Sequence, residues 1–283
     1  MLRIAIQSKG RLYEESMALL EESGIKIPGG KRTLLVPARN FPVEVLFLRD
    51  DDIPESVASG VADVGIVGLN EVMEKCCPVG ILKKLGFGKC RLSLAIPQDI
   101  DYQDRNWFSG KKIATSYPGI LSDYLHKNGI VSDIHVITGS VEIAPGIRLA
   151  DAIFDIVSSG STLVSNRLKE VETVVESEAV LIGTDSISPE KRGILDELLF
   201  RFDSVQAADD KKYILMNVPQ KKLNDVLSVL PGIKSPTVMP LADKEWCSVH
   251  TVLDEKCFWE IINRLKTAGA EGILVLDIEK MIL

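Results

Sequence analysis

Cysteine is scarce and unorganised in this chain of 283 residues: there are five, with Cys76 and Cys77 adjacent and Cys90, Cys247 and Cys257 standing apart. No paired-ligand spacing results, so neither a zinc site nor a disulfide framework follows, and the thiols are expected to be reduced, small buried hydrophobes. Histidine is scarcer still. His126, His135 and His250 are too scattered for a Cys/His or Ser/His catalytic pair to be assigned from spacing. Positive charge is also in deficit, 33 Lys+Arg against 40 Asp+Glu for a net charge of −7, which argues against a general nucleic-acid binder. No apolar run approaches the roughly 18 residues needed to span a bilayer. The first residues, Leu2-Arg3-Ile4-Ala5-Ile6, read directly as a strand rather than as a basic, apolar leader. A cytoplasmic location without a membrane partner is the expectation.

What is present is ordinary globular material, 46% hydrophobic and 26% charged, long enough for two domains or three if one is small. Over the first 200 or so residues short apolar runs alternate with helical patterns, the signature of a mainly parallel α/β sheet. A strand over Leu2 to Gln7 leads through Ser8-Lys9-Gly10-Arg11 into a helix whose Leu12, Ser16, Leu19 and Leu20 share a face, closed by Gly24 at C′. Strands follow at Thr33 to Val36 and Val43 to Leu48. Asp52 and Glu55 then stand at capping-box spacing around Pro54. An Ala-Asp pair precedes an apolar strand twice, at Ala62-Asp63 and Ala150-Asp151, which fits two similar α/β lobes. Crossings between lobes are expected near Leu92 to Pro97 and Val180 to Asp185, giving a hinged cleft. A helix from about Pro189 to Phe202 and a polar linker over Gln206 to Lys212 follow. The order from Tyr213 onward is then β-α-β-β-α-β, a ferredoxin-like module.

The strongest local signal is Asp155-Ile156-Val157-Ser158-Ser159-Gly160-Ser161-Thr162-Leu163: an acid late in an apolar strand, then a small, hydroxyl-rich loop. Such a loop converges backbone N–H groups and hydroxyls on one anion, while the preceding carboxylate suits the paired hydroxyls of a ribose. A phosphoribosyl pocket is one reading; an ordinary turn with Ser161 or Thr162 as helix N-cap is the other. Lys9, Gly10 and Arg11 follow the first strand, where a parallel sheet opens its ligand crevice, and Arg49 ends another strand. They are either phosphate contacts or solvated surface charges. Adjacent Asp50, Asp51 and Asp52 cannot all point at one ion, so no protein metal cage is assigned, and magnesium would arrive with phosphates. Thr115-Ser116-Tyr117-Pro118 is a further anion-site candidate, with Tyr117 either stacking on a base or packing at the rim. Glu142, among apolar neighbours, either contacts a ribose, a metal-bound water or a basic group, or faces solvent.

The segment from Glu142-Ile143-Ala144-Pro145-Gly146-Ile147-Arg148 through Leu149-Ala150-Asp151-Ala152-Ile153-Phe154-Asp155 to the loop closely resembles the signature of the ATP phosphoribosyltransferases, the first enzymes of histidine biosynthesis. The likeness extends to Leu48-Arg49-Asp50-Asp51-Asp52-Ile53-Pro54, Ile113 to Pro118, Ser235-Pro236-Thr237 and Ile278-Glu279-Lys280-Met281, and it is to the long form of that family. One departure is Arg148, where the family pattern usually has glycine. The resemblance implies a two-lobed, periplasmic-binding-protein-like (type II) catalytic unit, residues 1–96 with 184–205 and 97–183, followed by an ACT-like regulatory domain over 206–283. It implies transfer of a 5-phosphoribosyl group from phosphoribosyl pyrophosphate to N1 of ATP, with magnesium. Asp155 and Ser158, Ser159, Gly160, Ser161 and Thr162 would hold the ribose 5-phosphate. Glu142 would lie near the ribose or metal, Lys9, Gly10, Arg11 and Arg49 would face phosphates, and Tyr117 would border adenine. Histidine would inhibit through Ile233, Ser235, Thr237 and Gly272, with Asn217 where some relatives carry an acid, in a dimeric or hexameric assembly. A non-catalytic two-lobed sensor and a prephenate dehydratase-like enzyme are the competing readings.

Overall fold

The computed structural model describes residues 1–28, 33–231 and 235–282, and its contacts divide the chain into two compact units, Met1–Asp196 and Glu197–Leu283. The first unit runs β1 (Leu2–Gln7), α1 (Arg11–Glu22), β2 (Leu35–Pro37), β3 (Val43–Leu48), α2 (Ile53–Ala58), β4 (Val64–Gly68), α3 (Leu69–Lys75) and β5 (Gly80–Lys84). It continues through β6 (Cys90–Pro97), β7 (Lys112–Thr115), α4 (Pro118–Lys127), β8 (Asp133–Val136), β9 (Ala152–Val157), α5 (Ser161–Ser165), β10 (Leu168–Ser177) and β11 (Ala179–Gly183). Helix α6 (Pro189–Ala208) contains the change to the second unit.

These strands form two sheets, β2-β3-β1-β4-β11-β5 and β10-β6-β9-β7-β8, one for each lobe of a periplasmic-binding-protein-like (type II) fold. Parallel pairing, expected to predominate, is confined to the middle of each: β1 with β3 and β4, and β7 with β8 and β9. The flanking β2, β5, β6, β10 and β11 pair antiparallel. Leu2, Ile4, Ala5 and Ile6 of β1 are all fully buried, as a central parallel strand covered on both faces requires. Helix α2 rests on β4 so closely that a Cβ on Gly65 would come within 2.6 Å of Ile53 Cγ2. Helix α1 ends in the expected glycine: the Gly24 N–H reaches Glu21 O at 2.8 Å and the Ile25 N–H reaches Leu20 O at 2.9 Å, a Schellman closure.

Three expectations are corrected. Residues Leu92 to Pro97 are not a crossing but part of β6, inside the second sheet, and Val180 to Gly183 lie in β11, inside the first. The lobes are joined instead through residues 85–89 and through Glu178, because the hydrogen-bonding pattern carries both extended runs fully into a sheet. Asp52 holds the N-cap position of α2 but forms no capping box: it is the last residue of a 3-10 turn over Asp50–Asp52, is already helical (φ −90°, ψ −16°) and makes no side-chain capping bond, and the extended entry position is that of Arg49. The polar stretch from Gln206 is no linker: α6 runs to Ala208 and the next strand opens at Lys211.

In the second unit β12 (Lys211–Pro219), α7 (Leu223–Val229), β13 (Thr237–Pro240), β14 (Trp246–Asp254), α8 (Glu255–Ala268) and β15 (Glu271–Asp277) build an antiparallel sheet in the order β13-β14-β12-β15. That is the ferredoxin-like order. One face is covered by the helices, with Ile214, Met216, Val218, Val249, Phe258 and Leu265 in a common core. All five cysteines are free thiols, and only Cys247 is buried, so the expectation of buried thiols holds for that one alone. Among the described residues no helix is long and apolar enough to cross a membrane.

Candidate functional site

Strand β9 ends at Val157 and the chain turns through Ser158 and Ser159 to Gly160, whose φ of +79° is the left-handed bend that starts α5. Gly160 occupies the N-cap position and no side chain caps the helix, so neither Ser161 nor Thr162 serves as that cap. Ser158, Ser159, Ser161 and Thr162 are exposed, with the Ser159 and Ser161 hydroxyls 2.9 Å apart. The start of the loop is held from below, where Arg91 donates to the Ser158 carbonyl at 3.2 Å. A concavity of about 450 Å³ opens beside it, lined by Ser158, Arg91, Lys89, Cys90 and Ser177 among others.

Two residues before the end of β9, Asp155 is partly buried and accepts the Ile156 N–H at 2.8 Å. Burial pushes its carboxyl up to about 6, and the nearby Glu142 carboxylate pushes in the same direction. Glu142 lies in a 3-10 turn over Val141–Ile143 that starts from Ser140 at φ +51°. Asp155 and Glu142 are therefore electrostatic neighbours.

From the other lobe, Gly10 at φ +92° starts α1 after β1, and the Ser8 N–H is tied to Leu48 O at 2.8 Å, which joins the ends of β1 and β3. Lys9, Gly10, Arg11 and Arg49 are exposed there. Arg11 pairs with Glu15 at 3.1 Å and Arg49 with Asp51 at 3.2 Å, contacts on largely solvated side chains that an incoming phosphate can compete with.

Tyr117 differs from expectation. It is 8% exposed and packs in the core of its lobe with Ile120, Leu121 and Phe108, which leaves little ring surface for stacking on a base. Its hydroxyl donates to Glu71 Oε1 at 2.9 Å and accepts from Asn70 Nδ2 at 3.3 Å. Burial, then Glu71, then Asp155 and Asp50, push that hydroxyl far above the usual tyrosine range, and burial likewise raises Glu71. Asn70 and Glu71 thus hold the Tyr117 hydroxyl, although sequence reasoning passed over them. The available signal was their place on α3, directly after glycine-ended β4, where a parallel strand opens into the crevice.

In the second unit Asn217 and Gly272 are neighbours on β12 and β15, since a Cβ on Gly272 would lie 3.4 Å from Asn217 Nδ2. Thr237 pairs with His250 on β14, so β14 separates it, with nearby Ser235, from β12. Ile233 lies outside the described residues. Among the described residues no group of three or more His, Cys, Asp or Glu side chains is arranged to hold a metal ion.

A family model described as ATP phosphoribosyltransferase matches residues 49–204, and one described as the HisG C-terminal domain matches residues 208–280. The curated ATP phosphoribosyltransferase of Bacteroides fragilis strain YCH46 is 71% identical over 283 residues, and that of Phocaeicola vulgatus is 70% identical over 283 residues, each covering all of both chains. Among solved structures, the ATP phosphoribosyl transferase (HisG:HisZ) complex from Thermotoga maritima has a chain that is 27% identical, with a TM-score of 0.61, covering 71% of this chain and 98% of its own.

Proposed function

Because the chain belongs to the ATP phosphoribosyltransferase family, in the long form with its own C-terminal domain, and is thus a pentosyltransferase of histidine biosynthesis, we propose that it transfers 5-phosphoribosyl from phosphoribosyl pyrophosphate to N1 of the adenine of ATP. The sensor and dehydratase-like readings are set aside by the full-length identity to transferases. The observation that carries the reaction is the uncapped, exposed Ser158–Thr162 bend next to Asp155, with the cations of β1 and β3 presented from the other lobe.

N1 attacks C1′ as the bond from C1′ to the pyrophosphate oxygen breaks, and its electron pair leaves with pyrophosphate. No covalent nucleophile is required. Catalysis comes from alignment and from charge placed where charge develops. Ser158, Ser159, Gly160, Ser161 and Thr162 receive the 5-phosphate, and Asp155 accepts the ribose hydroxyls. Asp155 and Glu142 set a negative field beside the oxocarbenium-like C1′, while Lys9, Arg11 and Arg49 receive the phosphates. Asp155 and Glu142, two mutually repelling carboxylates, would lie beside magnesium arriving on those phosphates, and the ion would supply positive charge for the leaving group. Histidine inhibits from the second unit through Asn217, Ser235, Thr237 and Gly272, and the enzyme works in the cytoplasm as a homo-oligomer.

Purified protein given ATP, phosphoribosyl pyrophosphate and magnesium will form phosphoribosyl-ATP, followed by ultraviolet absorbance. Absence of product while both substrates bind would remove the reaction. Histidine will inhibit, and Ser235→Trp will relieve that inhibition; equal inhibition of both proteins rejects the effector placement.

A further inference from the structure

The two lobes are joined covalently by little. One passage, residues 85–89, contains Gly86 and Gly88 at φ +79° and +63°, and the other is Glu178 between β10 and β11. Such connections leave the angle between lobes to non-covalent contacts. One set of such contacts runs between α3 of the first lobe and α4 of the second. Glu74 places one carboxylate oxygen 2.8 Å from the Gly119 N–H and the other 2.9 Å from the Ile120 N–H. Pro118, the residue before them, has no N–H, so these are the first donors of α4, two of those a helix cannot satisfy itself. The charge is also at the favourable end of the helix dipole.

Residue 119 fits this role. A Cβ there would sit 3.1 and 3.2 Å from the two Glu74 oxygens. Glycine in a first helical turn is otherwise a poor choice against alanine. A second strut runs alongside. Tyr117 donates to Glu71, the Asn70 N–H donates to Ser177 Oγ at 3.1 Å, and that hydroxyl donates to Asn70 Oδ1 at 2.9 Å. Ser177 ends β10, next to the return passage.

We infer that Glu74 and Gly119 form an interlobe clasp that sets the distance between the cations on one lobe and the Ser158–Thr162 bend on the other. Glu74 is then a positioning residue that touches no substrate. The inference rests on the transfer reaction proposed above, because only a reaction that aligns groups from both lobes is sensitive to this angle. A misplacement of about 1 Å between reacting groups costs on the order of 100-fold in rate, so even partial loosening is measurable.

The test measures kcat, the dissociation constant of phosphoribosyl pyrophosphate alone, and the melting temperature for the full-length wild-type protein, Glu74→Gln, Gly119→Ala and the double variant. Each single change is expected to lower kcat about tenfold while the dissociation constant moves less than about twofold. Gly119→Ala keeps the backbone donors and improves helix propensity, so its melting temperature should not fall. The double variant should be no slower than the worse single one. Wild-type kcat in Gly119→Ala, or fully additive losses in the double variant, overturns the clasp. A wild-type protein that makes no product overturns the reaction reading instead.

Discussion

Asp155, proposed above to hold the ribose, shows how a buried carboxylate acts against its own fold. Its ordinary value of 3.8 is raised to about 6 mainly by burial, so the native state holds a proton over a range where the unfolded chain has released it. Stability attributable to this group is therefore highest below 3.8 and is lost as pH rises through 6. Asp155→Asn should stabilise the protein at pH 8 by up to about 3 kcal/mol and leave it unchanged near pH 3.5, read by denaturant unfolding at the two values. The same variant should lose the acidic limb near pH 6 in kcat/KM for phosphoribosyl pyrophosphate, because that limb reports ionisation of the free enzyme. Arg148 is a second residue set against its backbone. The Leu149 N–H bonds to Ala144 O at 2.9 Å and the Arg148 N–H to Pro145 O at 3.0 Å, the same Schellman pattern that Gly24 closes in α1, with Arg148 at φ +60° in the glycine position. This gives a physical reason for the glycine that the family pattern usually carries there. Arg148→Gly should gain about 0.5–1 kcal/mol, the left-handed strain relieved less the added freedom of the unfolded chain, seen as a higher melting temperature.

At the level of elements, β6 and β10 pair antiparallel with two register shifts, and a polar cluster holds them together. Arg91 donates from two nitrogens to Glu170, each at 2.5 Å, and Ser93 donates to the same carboxylate at 2.7 Å. The Arg91 guanidinium, with Ser93, holds Glu170 down at about 2 against an ordinary 4.5. The sign is opposite to that of Asp155: the contribution is complete above about 4.5 and is lost as pH falls through 2. With both side chains partly exposed, Arg91→Gln should cost about 2 kcal/mol at pH 7, and the loss should shrink as pH falls below 4.5, followed by denaturant midpoints. That variant also removes the contact to the Ser158 carbonyl and should loosen the Ser158–Thr162 bend. Elements were legible where period and punctuation agreed: β1, α1 with its closing glycine, β9 and the βαββαβ order of the second unit. They were misread where polarity stood in for conformation. Asp52 and Glu55 looked like a capping box, but Asp52 is already helical and makes no capping bond, and the polar stretch at Gln206 looked like a linker but continues α6.

Over the whole molecule, an acidic chain with a net charge of −7 presents its cations Lys9, Arg11 and Arg49 exposed at the ends of β1 and β3, where two polyanionic substrates are proposed to meet. Exposed charges are screened by salt. Raising sodium chloride from about 0.05 M to about 0.5 M should increase KM for ATP several-fold and change kcat less than about twofold, since the same contacts serve ground and transition state.

The strand-to-bend passage from Asp155 to Thr162 and the glycine-bearing turn after β1 were legible in the sequence alone, because a short bend depends on backbone freedom and small side chains that lie within a few consecutive positions. Tyr117, Glu71 and Glu74 were decided by tertiary structure. Tyr117 and Glu71 are 46 positions apart in the chain, and whether a ring stacks on a ligand or packs against a carboxylate depends on which helix the other lobe sets beside it. Pattern within a segment carries no information about that contact, which exists only once the two sheets and the passages between them are in place.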